Sequence, residues 1–353
     1  MSKKICMIVQ HPMVKGGIAA VVNGYRGSEL ENQFRIRYVE SYMDGGKIRK
    51  LLKGIAGYAD FLRVLLLEKP ELVHIHSSFG PSFYRKLPFI YMASWFRVPI
   101  INHCHGADFD TFFLKASPKK RKLIRTIYSK CTVMLALSHE WKERLSMVMN
   151  KEKIEVIENY SRIHDDAIQE RAGRKSNSQI LFLGEIGERK GCYDIPAIVE
   201  NVVRKFPNVK FVLGGSGDIE AIQKALKERG VEQNVVFPGW VRGEDKAKLL
   251  RESDIFLLPS YNEGMPMSIL DAMGYGMPIV STTVGGVPKI VREGENGYLC
   301  NPGDVEMLSQ ALVQLLLNEE LCKQYGDSSA NIVKQSYSFE WHINRLARLY
   351  NSL

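Results

Sequence analysis

No two of the six cysteines form a C-x-x-C pair: Cys6, Cys104, Cys131, Cys192, Cys300 and Cys322 are scattered, most of them in or beside apolar runs. That spacing argues against a zinc knuckle or a disulfide framework and suits reduced thiols in a cytosolic protein. No apolar run approaches the ~20 residues of a membrane span. The nearest, "LPFIYMASWF" (87–96), stops at Arg97. The start, "MSKKICMIVQHP", holds two lysines and then a short strand, too brief for a signal peptide. The expected location is the cytoplasm, with any membrane contact peripheral and at the inner face. The Walker spacing G-x-x-x-x-G-K-[ST] is also missing, as is any RNA- or DNA-binding motif, so nucleic acid is not an expected partner.

What is present is an ordinary enzyme-like composition, 45% hydrophobic and 25% charged over 353 residues, a length that favours two domains. The net charge of +9 is unevenly placed. Residues 1–160 hold 26 Lys/Arg against 14 Asp/Glu, while residues 161–353 hold 22 against 25. The first half therefore suits an anionic partner, nucleic acid or a membrane surface, and with no nucleic-acid motif the membrane surface is the expectation.

Short β-branched runs alternate with longer helical patterns. Strands are expected at 4–9, 34–40, 71–77, 98–105, 133–138 and 154–159, then at 179–185, 209–215, 234–240, 254–260, 277–283 and 297–300. A helix is expected over 51–68. Strand–helix alternation of this kind implies right-handed crossovers and parallel sheets, here two of them. The polar segment "RAGRKSNSQ" (171–179) is the expected linker. Ligands of such sheets bind beyond the carboxyl ends of the strands, so chemistry is sought there.

Gly16 and Gly17 follow the first strand and open a helix. His105 ends the fourth strand, where it suits a sugar hydroxyl or a proton. His103, two residues earlier, reads as structural. His74 and His76 also alternate, but no carboxylate or cysteine completes a ligand set, so no metal is expected. Arg189 and Lys190 sit in a glycine-bounded loop suited to phosphate. "VLGGSGD" (212–218) resembles a dinucleotide loop, yet Glu220 stands in the third glycine's place, which makes hydride transfer a poor reading. In "LLPSYNEGMPMSILDAMGYGM" (257–277), Glu263 precedes a helix expected to run to about Tyr275, with Pro266 in its first turn. Asp271 lies roughly 12 Å further along the axis. The two acids cannot grip one atom, but they suit two parts of an extended ligand whose anionic middle covers the helix N-terminus.

With these motifs the chain resembles the retaining glycosyltransferases of family 4, of the GT-B architecture. The likeness runs through "KGGIAAVV", "HIHSSF", "HCHGADF", "LGEIGERKG", "FPGWV" and, most specifically, "DIFLLPSYNEGMPMSILDAMGYGMPIVSTTVGG". It implies an α/β fold of two Rossmann-like domains facing across a cleft: an acceptor-binding domain over 1–165, a nucleotide-sugar-binding domain over 166–336, and a C-terminal helix over 337–353 packing back on the first. By the same resemblance Glu263, His105 and Lys190 carry catalysis. Gly16, Gly17, Arg189, Lys190, Trp240, Val241, Glu263, Gly264, Met265, Met267, Ser268 and Asp271 bind the donor, with no metal or other cofactor. Glu263 would take the sugar hydroxyls, residue 271 the ribose, the amides of Met267 and Ser268 the diphosphate, and Trp240-Val241 would border the base.

Two positions depart from the family pattern. Asp271 replaces a glutamate, and Glu185 stands where the family has an arginine near the diphosphate. They motivate a competing reading, a sugar-nucleotide-binding subunit without transfer activity; an epimerase or a glycan phosphorylase of similar architecture ranks lower. The acceptor is expected to be a glycan or polyprenyl-linked glycan of bacterial surface polysaccharide. The basic segments 47–53 and 111–130, mixed with apolar residues, would meet an anionic membrane.

Overall fold

The computed structural model describes residues 2–173, 176 and 178–353, which form two compact units. One holds the chain up to Asn159 together with Glu340–Leu353; the other is Tyr160–Phe339. The chain thus passes between units at 159–160 and 339–340. Of the segment 171–179 expected as a linker, Arg174, Lys175 and Asn177 lie outside the described residues. Its described residues belong to the second unit, where the Arg171 guanidinium donates to the Leu250 carbonyl at 2.8 Å and to that of Ser253. Arg171 to Gly173 close the helix Asp165–Gly173 and Gln179 opens the next strand, so the passage between units lies elsewhere.

The first unit is a six-stranded parallel sheet of β1 (Lys4–Val9), β2 (Arg35–Glu40), β3 (Leu72–Ser77), β4 (Ile100–Cys104), β5 (Val133–Ala136) and β6 (Ile154–Val156), in the order β2-β1-β3-β4-β5-β6. β3, β4 and β5 are buried at every residue, as expected for strands covered on both faces. One face carries Cys6, Ile8, Val73, Ile75, Ile100 and Cys104. The helices Lys47–Arg63, Pro81–Trp95 and Pro118–Tyr128 cover it, joined by Phe61–Phe89 at 5.4 Å and Phe83–Tyr128 at 5.4 Å between ring centroids. Each fully buried phenylalanine contributes roughly 1.5–3 kcal/mol. The helix expected over 51–68 starts earlier, at Lys47, and its last turn, Val64–Glu68, widens to a π-turn. The helices Gly17–Tyr25 and Phe339–Ser352 lie on the opposite face, where Tyr25 Oη meets His342 Nε2 at 2.7 Å and Tyr350 Oη meets His74 Nδ1 at 2.5 Å.

The second unit is also a six-stranded parallel sheet, built from β7 (Gln179–Ile186), β8 (Lys210–Gly217), β9 (Val235–Gly239), β10 (Ile255–Leu258), β11 (Ile279–Thr282) and β12 (Gly297–Cys300). Its order, β12-β11-β10-β7-β8-β9, grows outward in both directions from β7. β7 and β10 are therefore neighbours, with Ile180 opposite Ile255 and Leu181 opposite Phe256. Among the described residues no helix is long and apolar enough to cross a membrane.

Candidate functional site

The strand order of the second unit reverses between β7 and β10, and at such a switch point the two following loops separate to leave a ligand crevice. The loop after β7 supplies Arg189 and Lys190 in a 3₁₀ turn, Glu188–Lys190. The loop after β10 supplies Glu263. Lys190 Nζ stands 2.6 Å from Glu263 Oε1, with both residues below one-tenth exposure. Ser260 Oγ donates to the same carboxylate oxygen at 2.7 Å. Arg189 Nη1 lies 3.8 Å from Glu263 Oε2 and donates to the Asn262 carbonyl at 3.1 Å. Glu263 does not project from the helix tip into solvent; it is held beside it by two cations and a hydroxyl.

Two glycines make this packing possible. Gly191 has φ +68°, and a Cβ there would stand 1.8 Å from the Pro259 carbonyl oxygen. Gly285 has φ +51°, and a Cβ there would stand 1.8 Å from the carbonyl oxygen of Glu263 itself. Both positions need the left-handed region that glycine occupies without strain. Gly286 N then donates to the Gly264 carbonyl at 2.7 Å, fixing the backbone on which Glu263 and the buried Met265 sit. The glycine-rich "VGG" after β11 is thus the seat of the Glu263 loop.

The helix that follows runs Met267–Gly274, with Pro266 as its cap rather than inside its first turn. That cap makes no side-chain hydrogen bond, and Met267 and Ser268 are partly accessible, so their amides are available to an anion. Gly276, with φ +69°, follows the helix end. Asp271 is ion-paired with Lys246 of the helix Gly243–Glu252, both side chains being partly exposed. Its carboxylate is therefore already committed. Glu185, the other departure, has a side chain 69% exposed and lies 3.6 Å from Arg189 Nη2. Water and Arg189 both screen it.

Trp240 and Val241 follow β9 directly, half-buried, and Val241 Cγ2 lies against Gly214 of β8. "LGGSG" runs as strand through Gly217 rather than as a phosphate loop, consistent with the poor fit to hydride transfer. In the first unit Gly16 caps and Gly17 opens the helix Gly17–Tyr25, both exposed. His105 is partly accessible, and its Nε2 meets His76 Nδ1 at 2.9 Å. Burial, reinforced by His342, depresses its pKa to about 3. The ring is neutral at pH 7, which leaves Nδ1 as the nitrogen not engaged by His76.

Three participants escaped the sequence reading. Ser260 was discoverable, being a hydroxyl three residues before Glu263 in the same loop. Gly285 carried a signal as part of a Gly-Gly pair after a strand. Lys246 had none, because nothing local links it to an acid 25 positions away.

Two family models match the chain: "Glycosyltransferase Family 4" over residues 18–160 and "Glycosyl transferases group 1" over residues 177–318. N-acetyl-alpha-D-glucosaminyl L-malate synthase of Bacillus anthracis is 26% identical over 262 residues, 72% of this chain and 68% of that one. Among solved structures, sucrose-phosphate synthase of Thermosynechococcus elongatus superposes with a TM-score of 0.83 at 16% identity, covering 99% of this chain and 98% of that one. HepE of Anabaena in complex with UDP-glucose does so with a TM-score of 0.79 at 17% identity, covering 99% of this chain and 100% of that one. The two parallel sheets and these superpositions are those of the GT-B fold, and with both family models matched, the chain belongs to the family 4, group 1 glycosyltransferases.

Proposed function

We propose that this glycosyltransferase is a metal-independent, retaining enzyme that moves a hexose-type sugar from a nucleoside-diphosphate sugar to a hydroxyl of a glycan or polyprenyl-linked glycan, as in bacterial surface polysaccharide assembly. The observation that carries the reading is the Lys190–Glu263 pair at the switch point, beside a helix whose N-terminal amides have no side-chain cap. An incoming diphosphate exchanges Glu263 for phosphate oxygens at Lys190, and the freed carboxylate accepts hydrogen bonds from the sugar hydroxyls. In the transfer step the bond from the anomeric carbon to the diphosphate oxygen breaks as the acceptor oxygen bonds the same face of that carbon. The acceptor proton passes to the departing phosphate oxygen. Lys190, Arg189 and the amides of Met267 and Ser268 neutralise the growing negative charge, the role a metal plays elsewhere. His105, neutral, offers a hydrogen bond to the donor sugar rather than a proton. Trp240 and Val241 border the base, and Gly16 and Gly17 admit the donor to the first unit's helix start.

The reading is tested by thermal shift and product analysis with UDP-, GDP-, ADP- and CMP-sugars in the presence of EDTA. One donor should stabilise the protein and be consumed with the anomeric configuration kept. Stabilisation by a donor with neither transfer nor hydrolysis in the presence of lipid extract would instead favour the binding-subunit reading that Glu185 and Asp271 motivate.

The acceptor side of the reading rests on the first unit's surface. In helix Lys47–Arg63, Ile48, Leu51, Leu52 and Ile55 are exposed among Lys47, Arg49, Lys50 and Lys53. The helix Pro118–Tyr128 adds Lys119, Lys120, Arg121, Lys122 and Arg125. Apolar side chains framed by cations suit the headgroup layer of an anionic bilayer at the inner membrane face. Co-sedimentation should be several-fold greater with anionic than with neutral vesicles at low salt; equal binding would sink this part.

A further inference from the structure

The period-two alternation of strands puts His74 and His76 of β3 on one face of the first sheet, and the β3–β4 register sets His103 directly beside His76. The ring centroids of His74 and His76 are 4.3 Å apart, those of His76 and His103 5.2 Å, and those of His74 and His103 5.5 Å. All three residues are at most 1% exposed. His74 Nδ1 is engaged by the Tyr350 hydroxyl and His76 Nδ1 by His105 Nε2. What remains is unusual. Nε2 of His74, Nε2 of His76 and both nitrogens of His103 are buried with no hydrogen-bond partner. One nitrogen from each ring lies within 4.8 Å of those of the other two.

A buried polar atom without a partner costs roughly 1–3 kcal/mol, and natural proteins carry few of them. Three such rings converging on one point call for a common occupant. Two of the three rings have the opposite nitrogen fixed by a hydrogen bond, the arrangement that orients metal-ligating histidines. We propose that His74, His76 and His103 bind one transition-metal ion of the class that takes imidazole, Zn²⁺ or Cu⁺, as a structural site in the first unit, apart from the transfer chemistry. The ligand set holds no carboxylate, so a singly charged cuprous ion leaves less unbalanced charge than zinc. The ion ties β3 to β4 and, through the hydroxyl of Tyr350 on His74, to the C-terminal helix. It also sits behind His76, whose other nitrogen orients His105.

The test uses the full chain without a histidine tag, stripped of metal and then offered either Zn²⁺ or, under ascorbate, Cu⁺. After desalting, metal content is read by mass spectrometry and stability by thermal melting. One ion should be retained near one equivalent and should raise the melting temperature. His103→Leu should retain under a tenth of an equivalent and lose that rise, while the exposed His139→Ala retains the ion. If neither ion is retained and His103→Leu melts higher than the unsubstituted protein, the site holds only orphaned nitrogens or water and the proposal is overturned. Should His103→Leu fail to fold, Co²⁺ decides with the unsubstituted chain: visible bands of nitrogen-ligated Co²⁺, bleached by Zn²⁺, support the site, and their absence overturns it.

Discussion

Lys190 Nζ lies 2.6 Å from Glu263 Oε1 across the loops that follow β7 and β10, and both side chains are almost wholly buried. Without a ligand each charge neutralises the other; on the proposed reading a diphosphate and a sugar replace the partners. Removing one side strands the other. Glu263→Ala should abolish turnover and also cost about 3–5 kcal/mol in urea unfolding, because the Lys190 ammonium is left buried. The double variant Lys190→Met/Glu263→Met should recover most of that stability and none of the turnover. A double variant as unstable as Glu263→Ala would show that the two charges are not coupled.

Glu185 should matter little. Its side chain is 69% exposed and Arg189 is within reach, so its interaction with a distant phosphate is screened by water and salt. Glu185→Gln is expected to leave kcat/KM within about threefold, a change that fades at high salt. A loss of more than tenfold would place this carboxylate at the reacting groups.

On the proposed reading, Lys246 competes with the donor for Asp271. If the ribose takes Asp271, it must first displace Lys246. Lys246→Ala should then lower the donor KM a few-fold with kcat unchanged, whereas Asp271→Ala should raise it. The partly exposed pair itself contributes no more than about 1 kcal/mol to folding, so both variants should melt within a few degrees of the parent protein. An unchanged KM in both variants would remove Asp271 from the donor site.

Gly285→Ala probes the seat of the Glu263 loop. The left-handed backbone alone costs a non-glycine residue about 1–2 kcal/mol, and the new methyl group would meet the Glu263 carbonyl oxygen. The loop must shift, so kcat/KM should fall by at least tenfold while the protein still folds. Donor kinetics and circular dichroism together read this.

The histidines make the fold acid-sensitive. Burial lowers the pKa of His74, His76 and His103 well below 6.5, that of His105 to about 3 and that of His342 to about 4. Below pH 6.5 the unfolded chain binds protons that the folded one refuses, so stability is intact above 6.5 and is lost as pH falls toward 4. Each group contributes up to about 1.4 kcal/mol per pH unit in that window. Melting temperatures at pH 7.5 and 5.0 should differ widely, and equal values would contradict neutral burial.

Much of the molecule was fixed by local sequence. Alternating or continuous apolar runs marked the twelve strands found among the described residues within a few positions, since a strand must be apolar on each face that is covered. The glycines, Lys190 and Glu263 stood at strand ends, where parallel sheets place ligands. Tertiary structure alone decided the rest. That Lys190 touches Glu263 follows from β10 pairing with β7, a long-range choice no local pattern encodes. That Asp271 is held by Lys246, and that His103 stands beside His74 and His76, follows from register and helix placement. Polar composition pointed to 171–179 as a linker, but polarity reports solvent exposure, which is not confined to passages between units. Local sequence determines which residues can be buried, extended or left-handed; only the folded chain determines which charges and nitrogens meet.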